Sequence, residues 1–144
     1  MALATSGVTR AKENDDDEKA CSVSTLRGLY IFDASGFNIV GGIAQPKAIV
    51  ELIRFHGDGT LTVPAATVSI NGTVTRSPPN GPGTYMIGPD CTGSLQFGPP
   101  GPTFDMFVEF KGSEVQMIQT NSNTVFGGGR PSGYRAELHE SGPG

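Results

Sequence analysis

Turn-forming residues cut this chain at short intervals, and no other feature constrains its fold as much. Glycine (21 of 144 residues) and proline (11) are scattered along the sequence rather than gathered in one linker. The stretches between them alternate apolar and polar residues, as a strand with one buried face requires. None keeps a 3.6-residue apolar period over helical length. "TFDMFVEFK" is the clearest case. Phe104, Met106, Val108 and Phe110 form an inward face there, and Asp105, Phe107, Glu109 and Lys111 an outward one. Asn71-Gly72, between "TVSI" and "TVTR", marks a two-residue hairpin, because a type I′ turn needs positive φ at both central residues.

The same alternation reads "RGLYIFDASGF", "KAIVELIRF", "TLTVPAATVSI", "TYMI", "SLQF" and "EVQMIQT" as strands, with a last strand carrying Tyr134, Ala136 and Leu138. Pro64 demands an edge position or a bend in its strand. "QPKAIVELIRF" has the length of a short helix, but its β-branched residues and the following "HGDG" favour a strand. Strand signals recur at the roughly 8–12-residue spacing of all-β domains. Short connections make sequence neighbours into spatial neighbours. The expected fold is therefore all-β: an antiparallel up-and-down meander of eight or nine strands closed into a small barrel, which leaves no open edge. A two-sheet sandwich is the alternative. The domain spans residues 21–138, after a solvated acidic arm (1–20, with "NDDDE") and before a flexible tail (139–144).

Composition removes several functions. The net charge of -4 gives no footprint for nucleic acid, and without Trp there is no obvious base-stacking platform. No stretch has the length of a membrane-crossing helix. The first residues lack the apolar run of a signal peptide, which points to the cytoplasm for the chain as given, or to the periplasm or exterior if a leader was removed. Cys21 and Cys91 lie at the edges of ordered segments. A disulfide between them and two free thiols are both compatible with that position.

Nothing calls for a metal or cofactor. There is no nucleophile elbow, P-loop or dinucleotide fingerprint, and the two histidines, His56 and His139, fall in a turn and the tail. "STLRGLYIF", "FHGDGTLT", "GTYMIGPDCTGSLQF" and "VQMIQTNSNTVFGG" resemble a group of poorly characterised small bacterial β proteins. Those share a Leu-Lys/Arg-Gly-x-Tyr opening, a Phe-Asp-Gly-x-Gly-x-Leu turn, a Gly-Thr-Tyr strand leading to Pro-Asp-Cys-Thr-Gly, and an Ile-Gln-Thr strand. The likeness covers most of residues 21–129, and none of its motifs is catalytic. This chain departs from it with His56 in place of the usual Asp and Glu51 in place of a small residue. The resemblance implies a plan similar to lipocalin-like and allene-oxide-cyclase-like barrels, which hold apolar small molecules.

An eight-stranded barrel is either packed solid or holds one small ligand. The expected inward residues suit a ligand: Phe55, Tyr85, Phe97, Phe104, Met106, Val108 and Met117 as lining, with Gln119 as a polar interruption. Glu51 shares a strand face with Ile49, Ile53 and Phe55. Burial there raises a carboxyl pKa and suits it to proton transfer, whereas a bulge or an ion pair with Arg27, Arg54 or Arg76 makes it structural. Asp33, beside Leu29 and Ile31, is the second candidate, and the Tyr30 and Tyr85 phenols are suited to orient a substrate. Three functions follow: a binder of apolar small molecules, a cofactor-independent isomerase, cyclase or lyase in the same cavity, or a module that pairs through outward Phe107 and Ile118 as a homodimer.

Overall fold

The structure, a computed structural model, describes residues 20–129. The expected strand with Tyr134 and the tail lie outside the described residues, as does all of the acidic arm but Ala20. Among the described residues nine strands follow one another: β1 (Arg27–Val40), β2 (Ile43–His56), β3 (Thr60–Ile70), β4 (Thr73–Arg76), β5 (Gly81–Ile87), β6 (Thr92–Phe97), β7 (Thr103–Val108), β8 (Val115–Gln119) and β9 (Thr124–Gly129). All pairings are antiparallel. β1, β2, β3, β5, β6, β7, β8 and β9 pair in turn, and β9 returns to β1, so eight strands close a barrel. β4 is an extra strand paired with the upper half of β3. The sandwich alternative is thereby excluded.

Local chemistry accounts for the two tightest hairpins. Asn71 and Gly72 both take positive φ (52° and 91°), as a type I′ turn requires. Gly41 and Gly42 (58° and 79°) do the same between β1 and β2, so these strands run on to Val40 and from Ile43, further than alternation alone indicates. On β3 the register slips by one residue: Leu52 pairs with Ala65, and Arg54 with Thr62. Pro64 sits in this bulge, where its missing N–H costs no ladder bond. The extra residue reverses the parity of β3, so Leu61 and Val63 face inward below the bulge and Ala66 above it.

One end of the barrel is packed solid. Leu26, Tyr30, Ile53, Phe55, Leu61 and Met106 are the largest fully buried side chains. The Phe55 ring lies edge-on between those of Tyr30 and Tyr85, at 5.3 and 5.0 Å between centroids. A single 3-10 turn (Val23–Thr25), held by reciprocal bonds between Ser22 and Thr25, caps this end. Cys21 and Cys91 form a disulfide that fastens the cap to the β5–β6 turn, which settles the choice between bridge and free thiols.

Phe110 does not face inward as expected. β7 ends at Val108, and the Glu109 N–H turns to donate to the Glu114 carbonyl, leaving Phe110 37% exposed. No helix among the described residues is long and apolar enough to cross a membrane.

Candidate functional site

The other end of the barrel is hollow. A cavity of about 360 Å³ opens there, at the lower end of the usual range for small-molecule sites. Its aromatic wall is built around Phe104, whose ring meets those of Phe32, Phe97 and Phe126 at 5.8, 5.7 and 6.5 Å. Proline-rich segments contribute Pro78, Pro79, Pro82 and Pro102 to its lining. Residues 77–80 lie along β3 because Ser77 and Asn80 donate their N–H groups to the Ala66 and Val63 carbonyls.

The β2 face that enters this space carries Lys47, Ile49 and Glu51. The next two inward residues, Ile53 and Phe55, belong to the packed end. Glu51 therefore sits at the depth of the cavity, between Phe32 of β1 and Ala66 of β3, its register partners. It is 6% exposed, and its Oε2 is buried without a hydrogen-bond partner. Among the described residues no arginine stands beside it, and burial pushes its pKa up from the ordinary carboxylate range to about 7.

Lys47 and Gln119 hold the mouth. Lys47 Nζ donates to Gln119 Oε1 at 3.2 Å and lies 4.3 Å from the centre of the Phe126 ring. Partial burial lowers the Lys47 pKa. The reach of Lys47 depends on a glycine. Gly36 on β1 pairs with Lys47 on one side and with Phe126 on the other, so no side chain separates the ammonium from the ring. A Cβ at Gly36 would run into the Val125 carbonyl oxygen.

Of the expected ligand-lining residues, the cavity contains Phe97, Phe104 and Gln119. Phe55, Tyr85, Met106, Val108 and Met117 are inward and buried, but they fill the core rather than line the cavity. The tyrosines are likewise committed to the fold. The Tyr30 hydroxyl donates to the Gly112 carbonyl. The Tyr85 oxygen accepts from the Gly57 N–H at 3.0 Å, and its proton is shared by the Val23 and Leu26 carbonyls at 2.8 and 3.1 Å. Burial raises the Tyr85 pKa and keeps it the neutral donor these carbonyls need. Asp33 is exposed on the outer face of β1, because Tyr30, Phe32 and Ala34 take the inward positions. It is not a lumen acid.

Lys47, Phe32 and Phe126 were not foreseen as site residues. Lys47 opens the expected strand "KAIVELIRF" two residues before Ile49, so alternation alone puts it on the same inward face. Phe126 lies in β9, whose three glycines after it leave no apolar–polar alternation to mark the strand. Outside the barrel, Phe107 and Ile118 are 62% and 52% exposed on adjacent strands. Comparison with known protein families, curated proteins and solved structures finds no match.

Proposed function

We propose that this barrel binds one apolar small molecule in its lumen, with Glu51 engaging a polar group of the ligand at depth. The observation that carries the reading is the buried, unpartnered Glu51 Oε2 in an aromatic and aliphatic cavity. A buried polar atom without a partner costs about 1–3 kcal/mol, and a ligand group that meets it recovers that cost. The test is fluorescence of the neutral dye N-phenylnaphthylamine with wild type and with Ala66→Leu, which fills space beside Glu51. Enhancement by wild type that is lost in Ala66→Leu is expected. A dye signal absent from wild type, or equal in both proteins, refutes lumen binding.

A second reading is favoured by one specific observation. With its pKa near 7, Glu51 populates both protonation states close to neutrality, as a general acid or base requires. The lumen would then support a cofactor-independent isomerase, cyclase or lyase step on the bound molecule. Product formation from polyunsaturated or carbonyl-containing ligands, reduced roughly a hundredfold by Glu51→Gln, supports it. Unchanged recovery of every ligand leaves a binder only. The Cys21–Cys91 disulfide supports an oxidising compartment as the site of action.

A further inference from the structure

The cavity is apolar along its length and polar at its two ends. Lys47 stands at the mouth and Glu51 at the depth of the same β2 face, four residues apart. At the rise of an extended strand their Cα atoms are roughly 13 Å apart. The wall between them is Ile49 of β2 with Phe32 of β1, Phe126 of β9 and Phe104 of β7.

The two ends differ in what they accept. An ammonium has three donors and no acceptor. One Lys47 donor goes to Gln119, a neutral partner, and no carboxylate pairs with it among the described residues. Its position over the Phe126 face fixes the ammonium at the rim. That end is complementary to an anion, whose charge-assisted bond to Lys47 is stronger than a neutral one. The depth rejects an anion, because a second negative charge beside Glu51 in an apolar wall is repelled and poorly solvated. A hydroxyl suits it instead. It donates to the carboxylate and accepts from the carboxylic acid, so it satisfies Glu51 in either state.

We infer that the lumen takes an elongated amphiphile: a hydrocarbon body with a carboxylate-like group held by Lys47 at the mouth and a terminal hydroxyl held by Glu51 at depth. This rests on lumen binding as proposed above. The length of the hydrocarbon is set by the separation of the two side chains along β2.

Displacement of N-phenylnaphthylamine from the full chain by decanol, decanoic acid and ω-hydroxydecanoic acid tests each end separately. Wild type is expected to bind the hydroxy acid roughly tenfold more tightly than decanol, the scale of one charge-assisted bond. It should also bind the hydroxy acid several-fold more tightly than decanoic acid. Lys47→Met should erase the preference over decanol, and Glu51→Leu the preference over decanoic acid. Lys47→Arg, which keeps the cation, should retain the first preference. Equal binding of all three ligands by wild type, or preferences that survive both substitutions, overturns the inference while lumen binding stands. If none of the ligands binds and the dye shows no enhancement, lumen binding and the inference fall together.

Discussion

Glu51→Gln should make the protein's stability less dependent on pH, and the size of the effect follows from where the carboxyl sits. Its pKa is about 7 in the folded chain against an ordinary 4.5. Below about pH 4.5 the group is protonated in both folded and unfolded chains, and burial imposes no charge penalty. Between the two values the unfolded chain releases the proton and the folded chain keeps it. The unfolded state then binds fewer protons, so stability falls as pH rises. Above about pH 7 both states are ionised and the loss is complete. A difference of about 2.5 pKa units corresponds to about 3 kcal/mol.

Gln cannot ionise, so the variant lacks this slope. Its buried amide brings its own hydrogen-bonding cost of about 1–3 kcal/mol, but that cost is independent of pH. The decisive quantity is therefore a difference of differences. Urea unfolding of wild type and Glu51→Gln at about pH 4 and about pH 8.5 should show the variant gaining about 3 kcal/mol relative to wild type at the higher pH. In thermal melts this is a relative shift of roughly 10 °C for a domain of this size. Other carboxylates contribute equally to both proteins and cancel. A stability difference that is the same at both pH values would refute the argument, because Glu51 would then have ordinary access to water.

Two further perturbations probe the frame around the site. Cys21→Ala with Cys91→Ala opens a cross-link spanning 70 residues; loop entropy predicts a loss of about 4 kcal/mol, read from denaturant midpoints of the two proteins, and a loss below about 1 kcal/mol would show that the cap holds without its staple. Gly36→Ala places a methyl against the Val125 carbonyl; a loss of about 1–3 kcal/mol is expected, with weakened amide-exchange protection along β1 and β9, and an unchanged midpoint would contradict the close approach of these strands.

Much of the fold was legible locally. Period-two alternation marked the strands, Asn71-Gly72 marked its hairpin, and Pro64 marked a bend that proves to be a bulge. These signals work because turn geometry and the pleat act over two to four residues. Glu51 was legible for the same reason, since its inward parity follows from Ile49 and Ile53 on either side of it.

Alternation specifies which side of a strand a residue faces, but not its height in the barrel. Phe55, Tyr85 and Met106 are inward, as the pattern indicates, yet they fill the packed end, while Phe97 and Phe104 line the hollow one. Height depends on how eight strands are staggered when the sheet closes, which no single segment encodes. Contacts across the sheet were equally out of reach. The approach of Lys47 to Phe126 needs β2, β1 and β9 in register at Gly36, and the pairing of Cys21 with Cys91 needs the cap to fold over the β5–β6 turn. The sequence by itself determined the strands, their inward faces and a carboxylate among apolar neighbours. Only the closed barrel decided that this carboxylate ends a cavity with an ammonium at its mouth, because that arrangement is made by residues that meet only when the sheet has closed.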